Sequence, residues 1–312
     1  MPASYTHQIL AEKIFEALPE NIKTMIPFSS EYFLGAQGGD VWYFHKIPGS
    51  RHRLNLGKYF HRHNVYEVFC SLLKSAAKGG AAASYAAGYV THYAGDTVFH
   101  PYVYFMVEKY KKCKNGWKGN RHALMESDFD TYFVRKYKDL PVGEYHFPVR
   151  YDHLDLAALY PVVASASEDT GGDSKISASS VRHAVRRFLR FQRFFADRHY
   201  RRRKILYGAE SVFHAKHILS GLCRRENPEP AYFNQDREEW HYPADASQTS
   251  RESVDQLFDR AVREGVRLVC EFFICMEGGK PLPREDFSKH FLTGVSLPAE
   301  ERNADTERAG GA

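Results

Sequence analysis

Between Tyr85 and Pro101 the chain reads YAAGYVTHYAGDTVFHP, and within it His92, Asp96 and His100 recur at every fourth position. On a helix, residues four apart lie one turn above another on the same face, so His92 and Asp96 present an imidazole and a carboxylate to one point. Small residues precede them, from Gly79 and Gly80 through Ala81, Ala82, Ala83 and Ser84 to Ala86, Ala87 and Gly88. A helix so poor in bulky side chains suits the centre of an all-α domain, where neighbouring backbones must come close. Pro101 disfavours helical geometry at the residue before it, so the spacing predicts a helix that ends near His100, with His100 arriving from a bend. Two readings of the triad stay open at this point. It binds a metal, or one His and the Asp form a buried hydrogen-bonded pair and the other His is incidental.

A chain of 312 residues with 43% hydrophobic and 14% aromatic content buries a substantial core and is not disordered. No run approaches the roughly 20 apolar residues that cross a bilayer, and the first residues, MPASYTHQILAEKIFEALPE, do not read as a signal peptide. The five cysteines, Cys70, Cys113, Cys223, Cys270 and Cys275, are odd in number and scattered without paired spacing. They read as reduced thiols in a cytoplasmic protein, so a metal would be held by histidine and carboxylate, and 16 histidines are present. The net charge of +5 does not by itself call for a nucleic-acid partner.

Along the chain, Thr6 is placed to cap a helix from His7 to about Leu18, and Pro19 to open a second short one. FLGAQGGDVWYF, at 33–44, reads as an irregular buried loop whose only charge is Asp40, either a ligand or a turn aspartate. Helical spacing follows from Asn64 to Ala76, with His61 and His63 just before it, and Pro101 stands where a new helix would start. In RHALMESDFDTYF the residues His122, Glu126 and Asp130 again fall four apart, a second inward polar stripe, with Asp130 expected to accept a hydrogen bond from a ligand histidine. A polar loop is expected over 165–180, then a helix from about Ser180 to His199, another near 209–222, and a long amphipathic helix from Ser253 to Met276 capped by Ser250 or Ser253. The 180–199 helix has a basic face that includes Arg186, Arg190 and Arg193. Such faces are ordinarily solvated, and contact with an anionic surface is the alternative. Residues 297–312 read as a disordered tail after a single domain over 1–296, with no strand-rich region and no protein partner indicated.

The collected candidates, His7, Asp40, His61, His92, Asp96, His100, His122 and Glu126, stand in motifs that resemble the zinc-dependent phospholipase C family of bacteria. They are TH at 6–7, FLGAQGGD at 33–40, LGKYFH at 56–61, AAGYVTHYAGDTVFHPY at 86–102, HALME at 122–126 and, more weakly, NQDREEWHYP at 234–243. The resemblance implies a single all-α, bundle-like domain, a fold shared with single-strand nucleases, and a cluster of two or three zinc ions that hydrolyses a phosphodiester. It implies that Asp40, His61, His92 and Asp96 hold one zinc, His100, His122 and Glu126 a second, and His7 with a bridging Asp96 a third. Asp40 and Asp96 would be the catalytic carboxylates. In secreted members a processed amino terminus helps hold the third ion, whereas here Met1 and five further residues precede His7, as expected of a non-secreted member. The glycine-to-histidine spacing from Gly57 favours His61 over His63.

Three functions follow from these readings. The first is a phospholipase C-like hydrolase of phospholipid or other phosphodiesters; the second is a nuclease or nucleotidase on the same fold. The third is a non-catalytic helical protein stabilised by metal. Seven or eight ligands for two or three ions leave coordination positions open, which is the mark of a catalytic rather than a structural zinc site.

Overall fold

The computed structural model describes residues 4–45, 55–111, 120–171, 176–213 and 217–295. The expected tail at 297–312 and most of the basic loop before Asn120 lie outside the described residues. The chain folds into helices α1 (Ser4–Ala17), α2 (Glu20–Lys23), α3 (Ser29–Gly35), α4 (Leu56–Arg62), α5 (Val65–Ala76), α6 (Gly80–Lys111), α7 (Arg121–Lys138), α8 (Leu156–Asp169), α9 (Ala178–Phe195), α10 (Arg202–Val212), α11 (Ile218–Leu222), α12 (Val254–Gly278) and α13 (Arg284–Phe287). A hairpin of β1 (Trp240–Tyr242) and β2 (Asp245–Ser250), antiparallel with Trp240 opposite Ser250, is the exception to an otherwise helical bundle. Among the described residues no helix is long and apolar enough to cross a membrane.

The small-residue helix is the axis of the bundle. α1, α3, α5 and α12 all pack on α6, which is buried from Ala81 to Val103. Glycine is required where α3 crosses it: a Cβ on Gly35 would stand 2.1 Å from the Tyr85 carbonyl oxygen, and one on Gly88 1.9 Å from that of Tyr32. Those contacts bring the two backbones closer than any side chain permits.

The helix does not end at His100. It runs unbroken through Pro101 to Lys111. Proline at this position leaves the Thr97 carbonyl without its helical partner, and the turn from His290 to Gly294 packs on the exposed step. Gly294 lies so close that a Cβ there would be 2.4 Å from the Thr97 oxygen and 3.0 Å from the Pro101 ring. Tertiary packing thus carries the helix past a residue that would end it in isolation, and His100 projects from a regular turn.

Other boundaries moved for comparable reasons. α1 starts at Ser4, so Thr6 lies inside it; its N–H and hydroxyl both donate to Asp130 Oδ1, at 2.7 and 2.9 Å, and a carboxylate from α7 does the capping. The expected irregular loop over 33–44 is the end of α3 followed by a 3₁₀ segment, Gly38–Phe44, which is buried as anticipated. Asn64 precedes α5 but its side chain bonds the Thr170 carbonyl instead of capping, and Asn55 caps α4. Helix α8 extends to Asp169, so the polar connection is shorter than predicted. Two helices, α10 and α11, replace the single one near 209–222. Ser253, rather than Ser250, caps α12 in a reciprocal box with Gln256, and Gly279 in left-handed geometry ends it.

Candidate metal centre

Five segments converge on the carboxylate of Asp96. α1 brings His7, the 3₁₀ segment Asp40, the last turn of α4 His61, α6 His92, Asp96 and His100, and α7 His122 and Glu126. All are buried except His122, which is partly exposed. Asp96 Oδ1 lies 3.3 Å from His7 Nε2; its Oδ2 lies 3.3 Å from His92 Nε2, 3.6 Å from His61 Nε2 and 3.7 Å from His100 Nδ1. Asp40 Oδ1 stands 3.4 Å from His61 Nε2, and Glu126 Oε1 3.0 Å from His122 Nε2 and 3.5 Å from His100 Nε2. Among the described residues three triads result, in each of which one donor atom per residue lies within 4.8 Å of the others: His7–His92–Asp96, Asp40–His61–His92 and His100–His122–Glu126. Every candidate named from the sequence takes part. His63 does not; it follows α4 and stacks on Tyr59.

The glycine pair before Asp40 makes the approach possible. A Cβ on Gly38, whose φ is +48°, would fall 2.0 Å from His92 Cδ2, and one on Gly39 2.5 Å from His61 Cε1. Two imidazoles therefore lie directly against bare backbone.

The donor set fits a cation. His61 Nδ1 is 2.6 Å from the Gly57 carbonyl oxygen and His100 Nδ1 is 2.8 Å from that of Phe291. Each of those nitrogens donates its proton to a carbonyl, which leaves a bare lone pair on each Nε2, the usual arrangement of metal-binding histidine. The His61 lone pair faces His92 Nε2 at 3.3 Å, and the His100 lone pair faces a Glu126 oxygen. At His100 and Glu126 a lone pair faces a carboxylate oxygen in a buried place, and the two repel unless a cation, or a proton standing in for one, sits between them. The electrostatics agree. Burial presses His92 down to about 3, so it stays a neutral ligand. Burial would raise Asp96, yet the His100 and His92 imidazoles hold it well below the usual carboxylate range, and His122 and His100 do the same for Glu126. With no metal bound, burial would lower His100, but Asp96 and Glu126 outweigh it and raise the group to about 9, so a proton occupies the place of a cation.

A cleft of about 380 Å³ opens over Asp40, His61, Asp96, His100, His122 and Glu126. Its walls include Tyr43, Arg62, Tyr104 and Leu222, none of which the sequence distinguished. Arg62 follows a ligand candidate directly, but its direction could be known only from the fold, and 20 tyrosines give no contrast. Burial raises the Tyr43 phenol, helped by Asp40, and raises Tyr104 to about 12, helped by Glu126, so both remain hydroxyl donors at neutral pH. A smaller pocket of about 20 Å³, enough for one water, lies behind Asp96 between His7, Gly95 and Phe129.

Asp130 does not support a ligand histidine. One oxygen takes both Thr6 donors, and the other takes Arg224 Nε at 2.9 Å and Nη2 at 2.7 Å. Through Thr6 it fixes the first turn of α1, from which His7 projects.

A family model described as zinc dependent phospholipase C matches residues 6–161, half of the chain, and that span contains every residue of the three triads. No curated protein and no solved structure gives a match. The Phe291 carbonyl that orients His100, and the Arg224 that closes the Asp130 pair, come from beyond the matched span. On this match and the geometry beneath it, the chain belongs to the zinc dependent phospholipase C family.

Proposed function

We propose that this centre holds two or three zinc ions and hydrolyses phosphodiesters, with phospholipids as the substrate class. The observation that carries the reading is Asp96, whose two oxygens meet four imidazoles within 3.7 Å beneath an open cleft. In this reading Asp40, His61, His92 and Asp96 hold one ion, His100, His122 and Glu126 a second, and His7 with Asp96 a third. Ions so held supply Lewis acidity and lower the pKa of water at the site towards about 7.

The chain's own groups do the rest. Asp40, buried but lining the cleft, orients the attacking water and accepts its proton. Burial would raise its carboxyl, but positive charge around it, the amino-terminal charge first and then the His61 and His92 imidazoles, keeps it below its usual range, so it enters the reaction ionised. Arg62 is exposed at the cleft wall and meets a non-bridging phosphate oxygen, for which a guanidinium is suited. The Tyr43 and Tyr104 hydroxyls flank the same anion as neutral donors. Cys70, Cys223, Cys270 and Cys275 are free thiols, in keeping with a reducing cytoplasmic setting.

The test is metal analysis of the purified protein, followed by initial rates on a soluble chromogenic phosphodiester, a phospholipid and single-stranded DNA. Zinc at two or more ions per chain with turnover of the first two substrates is expected. Preferential cleavage of DNA would move the activity to nucleic acid, and bound metal without turnover would make the centre structural.

A further inference from the structure

Helix α10 is mounted the wrong way round for a soluble protein. Its apolar stripe, Ile205, Gly208, Ala209 and Val212, has the i, i+3, i+4, i+7 spacing of a core-facing helix, yet all four are exposed, Ile205 at 70% and Val212 at 74%. Phe213, next in the chain, is 80% exposed, and Leu219 on α11 is 44% exposed. Polar anchors hold the helix in this orientation. The Asp197 carboxylate caps its start by accepting the N–H groups of Arg201, Arg202 and Arg203, and Glu210 points inward to accept those of Leu219 and Ser220.

Those anchors are the carboxylates of this stretch. Among the described residues from 176 to 225, Asp197 and Glu210 are the only carboxylates, and both are buried. Along 190–204 the exposed charge is basic, Arg190, Arg193, Arg198, Arg201, Arg202 and Lys204, and Arg202 ties the start of α10 to the end of α9 by donating to the Arg193 and Phe194 carbonyls. Arg186, grouped with Arg190 and Arg193 on the sequence, stacks on Tyr151 instead, with its guanidinium 4.5 Å from the ring. α10 is linked to the cleft through α11, which packs on both α10 and α7 and whose Leu222 lines the cleft wall.

We propose that α10, with Phe213 and Leu219, is a membrane-docking face that inserts into the headgroup region of anionic phospholipid bilayers and brings the cleft to the lipid surface. An outward apolar stripe flanked by arginine and lysine is the form of an interfacial helix. Nucleic acid would use the arginines but has no use for Ile205 and Val212 facing outward. The docking goes beyond the hydrolase reading and does not depend on turnover.

The experiment is co-sedimentation of the full chain with vesicles of mixed phosphatidylserine and phosphatidylcholine, or of phosphatidylcholine alone. Two variants are compared, Val212→Ser/Phe213→Ser, which leaves charge unchanged, and Arg190→Gln/Arg193→Gln/Lys204→Gln. Wild type is expected to bind the anionic vesicles, less so as salt rises, and each variant to bind at least about ten-fold more weakly. Melting temperature and turnover of a soluble ester should not change, and Asp96→Asn, which tests the metal centre separately, should bind vesicles as wild type does. The proposal is overturned if wild type ignores anionic vesicles, if Val212→Ser/Phe213→Ser binds them undiminished, if single-stranded nucleic acid binds more tightly than vesicles, or if the serine variant instead dissolves a dimer.

Discussion

Asp130 and Glu126 stand one turn apart on α7, both buried, and they end in opposite situations. Asp130 meets a complete set of donors supplied by the protein, two from Thr6 and two from the Arg224 guanidinium, which in turn bonds Ser4 Oγ and Gln192 Oε1 and lies over the Tyr5 ring. Glu126 meets imidazoles, His122 and His100, and with Asp96 it belongs to a cluster whose lone pairs face one another. One cluster contains its own guanidinium cation, and the other is a donor set of the kind that could hold a metal ion. The difference teaches what a buried polar stripe can be. The same i, i+4 spacing serves a structural ion pair at one step and a metal-type donor set at the next.

The largest effect should come from uncoupling the self-contained cluster. Arg224→Met leaves the Asp130 carboxylate buried and unpaired, and removing one partner of such a pair costs about 3–5 kcal/mol. A pronounced fall in melting temperature is expected, with zinc still bound by the protein that remains folded. A variant as stable as wild type would show that Asp130 has another source of compensation.

Asp96→Asn should act in the reverse sense. A neutral amide cannot link imidazole-held cations as a carboxylate does, so metal stoichiometry should fall and phosphodiester turnover drop by about 100-fold or more, at or beyond the upper end of what supporting residues around a metal usually cost. Metal analysis and initial rates at saturating zinc check this. Full metal content with a near-normal rate would remove Asp96 from its bridging place.

Chelation probes the same contrast without mutation. Ions bound only by the folded state stabilise it by about 2.7 kcal/mol when free metal is a hundred times the dissociation constant. Removal should therefore lower the melting temperature of wild type and of Arg224→Met by similar amounts, because the Asp130 cluster needs no metal. A chelator that leaves the wild-type melting curve unmoved would mean that the donor set does not bind a cation.

How far the sequence discloses this contrast depends on the range of each interaction. The central helix is legible because small residues and the His92–Asp96 spacing are local, and so are the His122–Glu126 face of α7 and, to within a choice of Ser250 or Ser253, the cap of α12. Every member of the three triads could be named from short motifs. The passage of α6 through Pro101 is not readable locally, because the residue that packs on that step, Gly294, lies far along the chain. For the same reason Asp130 was given to a histidine: its partner Arg224 is 94 residues away, and nothing local marks it. Periodicity also gives a helix its apolar stripe without saying which way the stripe faces. In α9 it faces the core, and in α10 the buried Glu210 turns it to solvent.

The smallest expected effect is the one that separates the two clusters most cleanly. In Asp130→Leu/Arg224→Met both charges leave together, and apolar groups of similar volume often replace a buried ion pair at little or no loss. Ser4 Oγ and Gln192 Oε1 still have each other, at 2.5 Å. The Thr6 N–H, however, loses the carboxylate that caps the first turn of α1, worth about 1 kcal/mol. The double variant should therefore melt close to wild type, recovering most of what Arg224→Met loses, and should keep whatever metal wild type binds. No such paired replacement is open to Asp96 and His92, since in the proposed centre their charge and lone pairs serve a bound metal ion. If the double variant is as unstable as Arg224→Met, the cluster contributes more than mutual neutralisation. If it is stable but loses metal, the Asp130–Thr6 link sets the position of His7, and the two clusters are one device.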